Sequence, residues 1–207
     1  MGTFNTYMCI VIIVYFFFLP YGETKWGMIK TKKTKEQTMS KILILNGSPR
    51  KNGATASLMK ALIEGANENG NEIKEDYISS MNIKACIGCD SCMRTHAGCV
   101  QKDDDMAKIY EDMLWCDVVV FVSPQFWGTI TGQLKIVFDR LFALINQVGW
   151  EQLRRKCVLL MTARGNDYSM ALDFYGILTK YLGWENLGTV LGAGKEAEAK
   201  AIGAKIV

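Results

Sequence analysis

The most constraining feature of this sequence is a short apolar run, 42–45, that breaks sharply and resumes as a helical pattern. Four consecutive aliphatic residues are typical of a strand buried on both faces of a parallel sheet. The run ends at Asn46-Gly47-Ser48-Pro49, where glycine and proline end regular structure. A helix is predicted next, because apolar residues recur at helical spacing before Gly70: Leu58, Met59, Leu62, Ile63 and Ala66.

The loop between this strand and helix is rich in groups that bind anions. The first N–H groups of a helix are unpaired and carry partial positive charge, so a phosphate is favoured there. The sequence lacks GxxxxGK[ST] and has no GxGxxG at this loop, which disfavours a nucleoside triphosphate or dinucleotide site. The loop suits a single terminal phosphate, as in FMN, although an ordinary polar loop remains an alternative. The candidate donors are Ser48, Arg50, Asn52, Thr55 and Ser57.

The rest of the body alternates strand and helix patterns. Strands are predicted at 72–78, 116–123, 157–162 and 187–191, and helices at 103–115, 131–145, 169–182 and 195–205. Five strands alternating with five helices predict an α/β fold with a doubly wound parallel sheet and helices on both faces. In the flavodoxin-like order 2-1-3-4-5, strands one and three flank the switch point where ligands bind.

Three loops are therefore expected to meet at the carboxyl edge of the sheet: 46–55, 124–129 and 162–167. The first would hold the phosphate, and the other two would flank a flat aromatic ligand. Phe126 and Trp127 are suited to stacking on a ring or walling it, with core packing or a subunit contact as the alternative.

Four cysteines have the most distinctive spacing in the chain: Cys86, Cys89, Cys92 and Cys99. A C-x2-C-x2-C run followed by a fourth cysteine resembles an iron–sulfur ligand set, and we expect a [4Fe–4S] cluster first. Zinc, a disulfide framework and a loop of free thiols remain alternatives. Cys116 and Cys157 begin apolar strands, so we expect inert core residues.

The chain has a single histidine, His96, inside the cysteine loop, where an exposed side chain is expected. With one histidine, no GxSxG and no HExxH, Ser-His-Asp hydrolysis and zinc peptidase chemistry are disfavoured.

Residues 1–38 differ from the body in composition. They contain a 12-residue apolar run, 8–19, and then a polar Lys/Thr-rich segment. We expect a non-native or disordered leader and a domain at 39–207; a weak membrane anchor is the alternative, disfavoured because a span needs about 20 residues. The leader carries five lysines and two glutamates, so the body balances at 19 basic and 19 acidic side chains, and no nucleic-acid partner is indicated.

The body resembles the NADPH-dependent FMN reductase family, and within it the iron–sulfur flavoproteins. The resemblance covers about residues 40–207 and is carried by GSPRKNGAT, the cysteine loop, Asp104-Asp105-Met106, SPQFWGTITGQLK and TARGND in this order. It implies a flavodoxin-like fold, FMN, NAD(P)H as co-substrate, a cytoplasmic location and a homodimer or tetramer.

The resemblance also implies roles for particular residues. The phosphate would lie at Ser48, Arg50, Asn52 and Thr55. The second FMN loop would comprise Pro124, Gln125, Phe126, Trp127 and Gly128, and the third Thr162, Gly165 and Asn166. The cluster ligands would be Cys86, Cys89, Cys92 and Cys99.

The expected function is an FMN-dependent NAD(P)H oxidoreductase that reduces a quinone, nitro compound, ferric chelate or oxygen. No catalytic side chain is expected, because the flavin supplies the chemistry. The alternative is an iron–sulfur flavoprotein that carries electrons between protein partners.

Overall fold

The computed structural model of the chain describes residues 39–207. The predicted leader, 1–38, lies outside the described residues. Within 39–207, no helix is both long and apolar enough to cross a membrane.

A five-stranded sheet forms the centre of the described chain. All neighbouring strands are parallel, and their order is β2-β1-β3-β4-β5, so the predicted flavodoxin-like topology is confirmed. Parallel neighbours need crossovers, and each crossover here contains a helix. The strands are β1 Lys41–Asn46, β2 Glu72–Tyr77, β3 Val118–Pro124, β4 Lys156–Thr162 and β5 Glu185–Leu191.

Six α-helices lie in the described residues, one more than the sequence patterns predict. The additional helix, α2, has five residues and lies inside the cysteine loop. The helix predicted to start at 103 begins at Met106, because Asp104 and Asp105 are held by other contacts described below. The helices are α1 Ala54–Asn67, α2 Ser91–Thr95, α3 Met106–Trp115, α4 Gly132–Val148, α5 Ser169–Leu182 and α6 Glu196–Gly203.

The three central strands, β1, β3 and β4, are buried on both faces. In β1, Leu43 and Leu45 pack in the core beneath α3, α4 and α5, whereas Ile42 and Ile44 pack in the core beneath α1 and α6. Side chains alternate across a strand, so a continuous apolar run fills both cores. Helices therefore cover both faces of the sheet, and a ligand can reach it only at its edges or at the ends of its strands.

Cys116 and Cys157 are buried in the core, as the sequence predicts. Burial raises the pKa of each thiol to about 11. Because the thiolate is the reactive form, these two cysteines are held in an unreactive state near neutral pH.

Candidate functional site

A cleft of about 870 Å³ opens at the carboxyl ends of β1, β3 and β4. This volume lies within the range of about 300–1,000 Å³ that is usual for small-molecule sites. Its position is the one at which parallel α/β sheets bind ligands. The residues that line it are Ser48, Pro49, Arg50, Gly53, Ala54, Thr55, Pro124, Gln125, Phe126, Trp127, Thr162, Ala163 and Arg164.

The first loop is shaped by buried polar contacts. The Asn46 side chain accepts a hydrogen bond from the Ser48 backbone N–H at 3.0 Å and donates to Glu75 at 2.9 Å. The Ser48 hydroxyl lies 3.2 Å from the Arg50 carbonyl oxygen and 3.3 Å from the Arg50 backbone nitrogen. Ser48 therefore braces the turn that presents Arg50, and its hydroxyl is already engaged within the loop.

The N-terminus of α1 lines the cleft and is suited to an anion. Its N-cap is Gly53, which has no side chain to occupy the first N–H groups, and its first turn contains no acidic residue. Arg50 also lines the cleft, and among the described residues it has no ion-pair partner. The cleft is thus lined by a helix N-terminus and a guanidinium, and its lining contains no acidic side chain among the described residues.

The hydroxyl groups of Thr55 and Thr162 are 2.5 Å apart and join the first loop to the third. Both side chains are buried at the floor of the cleft. When two hydroxyl groups share one hydrogen bond, one group donates its proton to the other. The accepting group keeps its own proton, which that bond does not use. That proton remains available for a ligand atom at the cleft floor.

The second loop ends in a tight turn at Phe126–Thr129. Two backbone hydrogen bonds join the ends of this turn, at 2.8 and 3.1 Å. Its central residues have positive φ, +50° at Trp127 and +84° at Gly128, as in a type I′ turn. Positive φ is unusual for a bulky residue, and the Trp127 side chain is 99% exposed. The turn therefore holds a large aromatic ring in solvent at the rim of the cleft.

Gln125 joins this second loop to the third. Its backbone N–H donates to the Thr162 carbonyl oxygen at 2.7 Å, and its side-chain amide donates to the Asp167 carbonyl oxygen at 3.0 Å. These contacts fix the spacing between the two walls of the cleft.

Most of the residues predicted to bind a cofactor line this cleft: Ser48, Arg50, Thr55, Pro124, Gln125, Phe126, Trp127 and Thr162. The other four do not. Asn52 is exposed, and Gly128 shapes the turn beside Trp127. Gly165 and Asn166 line a neighbouring cleft of about 570 Å³.

Sequence reasoning missed Arg164, which lines the same cleft as Arg50. The signal that could have found it was its position in the loop after β4, where a charged residue lies at the ligand-binding edge.

The four loop cysteines line one small cavity, together with Arg140 of α4. Each of them is a free thiol, so no disulfide joins them. Within 39–207, no group of three or more His, Cys, Asp or Glu side chains is arranged to hold a single metal ion. His96 is exposed, as predicted, and its Nδ1 lies 2.8 Å from the Asn146 carbonyl oxygen.

The sequence matches the profile of the NADPH-dependent FMN reductase family over residues 40–178. Among individual proteins, it is 36% identical over 105 residues to an iron–sulfur flavoprotein of Methanocaldococcus jannaschii, covering 51% of this chain and 52% of that protein. It is 38% identical over 116 residues to an iron–sulfur flavoprotein of Methanosarcina thermophila, covering 53% and 60% respectively. These matches thus span about half to three-fifths of each relative.

Solved structures share the fold at low sequence identity. The NAD(P)H:quinone oxidoreductase from Methanothermobacter marburgensis superposes with a TM-score of 0.60 at 17% identity, over 82% of this chain and 100% of that one. An FMN-dependent NADH-azoreductase from Bacillus anthracis, solved in complex with FMN, gives 0.55 at 14% identity, over 81% and 95%.

Proposed function

Because the chain belongs to the NADPH-dependent FMN reductase family, we propose that this flavin oxidoreductase binds FMN in the cleft formed by the three ligand loops and passes electrons from NAD(P)H to a small acceptor. The observation that carries the proposal is the chemistry of the cleft lining. The lining combines the uncapped N-terminus of α1 and two arginines, Arg50 and Arg164, with the aromatic side chains of Phe126 and Trp127. FMN carries the matching groups, a phosphate at one end and a flat ring at the other.

The phosphate would lie at the N-terminus of α1. The first N–H groups of α1 have no side-chain cap, and the braced loop described above contributes Arg50 to the lining of the same cleft. The proton left over by the Thr55–Thr162 pair would be donated to the ligand at the cleft floor. Arg164, in the third loop, adds a second positive charge to the lining of the cleft.

The ring would lie against Phe126 and Trp127. Bound FMN supplies hydride and electron transfer chemistry. The residues lining the cleft include no histidine, aspartate or glutamate, so the protein's part is to bind, orient and shield the ring. The acceptor we propose is a small oxidant that reaches the open side of the cleft: a quinone, a nitro compound, a ferric chelate or oxygen.

The test is a binding and turnover measurement on the purified protein. We expect saturable FMN binding, and NAD(P)H oxidation that depends on added FMN and on one of these acceptors. A protein that binds no FMN, or that oxidises NAD(P)H equally well without it, contradicts the proposal.

A second candidate function is electron transfer between protein partners through FMN and a [4Fe–4S] cluster. The observation favouring it is the single cavity lined by Cys86, Cys89, Cys92 and Cys99. The relatives named iron–sulfur flavoproteins lend the same support. Iron and acid-labile sulfide bound to the protein, together with slow NAD(P)H turnover, would favour this function over reduction of a small acceptor.

We further propose that a second copy of the chain packs on α5. Met170, Ile177 and Tyr181 are exposed on one face of this helix, because their spacings of seven and four residues are close to whole helical turns. The same face carries Asp173 near one end and Lys180 near the other. Two antiparallel copies related by a two-fold axis near Ile177 would bring each aspartate beside the other copy's lysine, as a self-complementary interface requires.

A further inference from the structure

The cysteine loop, 86–100, is joined to the rest of the molecule through a narrow neck of polar contacts. Asn82 and Asp105 exchange two hydrogen bonds, at 2.7 and 3.0 Å. The Gln101 side chain donates to the Ala85 carbonyl oxygen at 3.0 Å. The two ends of the loop are thus brought side by side, immediately before Cys86 and two residues after Cys99.

Arg140 closes this neck from α4. Its Nη1 donates to the Lys84 carbonyl oxygen at 2.8 Å, and its Nη2 donates to the Gln101 carbonyl oxygen at 2.9 Å. A single guanidinium therefore bridges the chain on both sides of the cysteine loop. Its side chain is only 1% exposed, so these contacts are shielded from water.

Asp104 completes the arrangement as the counter-ion of Arg140. Its two carboxylate oxygens accept from Nη1 at 2.7 Å and from Nη2 at 3.4 Å, and its side chain is 1% exposed. The carboxylate also accepts from the backbone N–H groups of Lys84 at 3.0 Å and Met106 at 3.2 Å. Although burial raises the pKa of Asp104, the bonds from Arg140 and from these N–H groups hold it below its usual value.

The loop has little support of its own. Its internal hydrogen bonds are confined to the single turn of α2 and the residues next to it. Asp90 and His96, which flank this turn, both have positive φ, at +54° and +53°. Such conformations persist in residues other than glycine only where surrounding contacts impose them. The neck and the contacts with α4 must therefore supply the order of this loop.

Arg140 also faces the space that the cysteines enclose. It lines the same cavity as all four cysteines. Its Nε is buried and has no hydrogen-bond partner within residues 39–207. Buried N–H donors are seldom left without an acceptor, because an unmade bond is costly. An electron-rich sulfur or another anion in the cavity would supply that acceptor.

We propose that Arg140, paired with Asp104, is a positioning residue that clamps the two ends of the cysteine loop and holds the four thiols around one cavity before any ligand enters. The clamp is independent of FMN, since Arg140 lies outside the FMN cleft. A role of the clamp in binding a [4Fe–4S] cluster rests on the second candidate function.

The clamp requires an arginine. A planar guanidinium can donate in several fixed directions, whereas a lysine ammonium is a single point donor on a flexible chain. Arg140→Lys keeps the charge but is unable to reach two carbonyl groups and a carboxylate together. Asp104→Asn keeps the size of the side chain but removes the charge that orients Arg140.

The test is hydrogen–deuterium exchange of the full-length protein after iron is removed with a chelator. We expect exchange of the hydrogen-bonded amides of the loop, those of Arg94 and His96, to quicken by about tenfold or more in Arg140→Lys and Asp104→Asn, the ratio equivalent to losing a charge-assisted hydrogen bond. Exchange in β1, β3 and β4 should be unchanged, which shows that each variant remains folded. Arg154→Lys is the matched control, because Arg154 pairs with Glu151 on the surface, with 62% and 74% of the side chains exposed.

Wild-type exchange at the Arg94 and His96 amides that is as fast as in an unfolded peptide would overturn the proposal, as would unchanged exchange at these amides in folded Arg140→Lys. A second measurement is iron bound per chain after anaerobic incubation with ferrous iron and sulfide, where we expect Arg140→Lys to retain less than wild type. If wild type itself binds no iron, the second candidate function fails, and the exchange measurement alone decides whether the clamp exists.

Discussion

Arg50 and Lys51 are adjacent cations on one loop, but their surroundings differ. Arg50 lines the cleft at the N-terminus of α1. Lys51 instead lies with its Nζ 5.5 Å from the centre of the Tyr77 ring. Of these two residues, only Arg50 is therefore proposed to contact the phosphate, and Lys51 provides the matched control.

We predict that Arg50→Ala weakens FMN binding by about 10- to 100-fold, as expected for one hydrogen bond to a charged group. Its affinity for riboflavin, which lacks the phosphate, should stay the same. Lys51→Ala should leave both affinities near wild type. Fluorescence titration with the two flavins measures this, and an equal loss for both flavins in Arg50→Ala would argue against a phosphate contact.

Trp127 combines positive φ with nearly complete exposure. In the apo protein the exposed ring adds little to the stability of the fold. The left-handed backbone conformation at this L-residue lowers that stability by about 1–2 kcal/mol. Asparagine tolerates positive φ and is preferred before glycine in a type I′ turn.

We predict that Trp127→Asn raises the free energy of unfolding of the apo protein by about 1 kcal/mol and lowers its affinity for FMN. Chemical denaturation of the apo protein and flavin titration measure the two effects. A variant that is destabilised and binds FMN normally would show that the ring serves the fold and has no part in the site.

Helices α1 and α6 pack at two glycines. A Cβ atom added to Gly203 would lie 2.1 Å from the Leu62 carbonyl oxygen, and one added to Gly65 would lie 2.1 Å from the Lys200 carbonyl oxygen. The two backbones approach too closely for any side chain at either position. By contrast, a Cβ atom added to Gly176 in α5 would have no other atom within 4 Å.

We predict that Gly203→Ala lowers the free energy of unfolding by about 3 kcal/mol or more, because the helices must move apart. Gly176→Ala, the control, should raise it by about 0.4–1 kcal/mol, since alanine restricts the unfolded chain. Thermal or urea unfolding measures both. Similar effects of the two substitutions would mean that α6 is not packed on α1 as described.

The elements that the sequence predicts best are those with a continuous apolar pattern. The predicted helix 169–182 coincides with α5, and the predicted strand 157–162 differs from β4 by one residue. The short helix α2 was missed because it has no buried residue and hence no apolar periodicity. The helix predicted at 103–115 begins only at Met106, since the side chain of Asp104 is buried against Arg140, 36 residues further along the chain. Such a pairing has no local signature.

At the scale of the whole molecule, the alternation of strand and helix patterns predicts a parallel sheet. The flavodoxin-like arrangement then gives the strand order 2-1-3-4-5. That order brings the three predicted loops to one edge, and eight predicted residues line one cleft there. No sequence pattern indicated that the Ser48 hydroxyl is used within its own loop, or that Gly165 and Asn166 face a neighbouring cleft. These details depend on side-chain directions, which spacing along the chain does not determine.

The proposed contact between two copies through α5 is also tested on the whole molecule. Ile177 is 71% exposed at the centre of the apolar stripe. We predict that wild type sediments as a dimer or larger assembly, and that Ile177→Asp shifts it toward monomer, because the substitution buries two carboxylates near the two-fold axis.

Leu114, 46% exposed on α3, provides the control for this experiment. Leu114→Asp should leave the sedimentation coefficient unchanged. A wild-type protein that sediments as a monomer at all concentrations, or an Ile177→Asp variant that assembles like wild type, would rule out the α5 contact.

The proposed function depends above all on FMN occupying the cleft at the ends of β1, β3 and β4 and accepting electrons there from NAD(P)H. A decisive experiment is an anaerobic UV–visible titration of the protein, loaded with FMN and freed of unbound flavin by gel filtration, with NADPH and then NADH. We expect that FMN is retained and that its absorption near the visible maximum bleaches with at least one of the two nucleotides. Flavin lost entirely on the column, or retained flavin that neither nucleotide reduces, would contradict the proposed function.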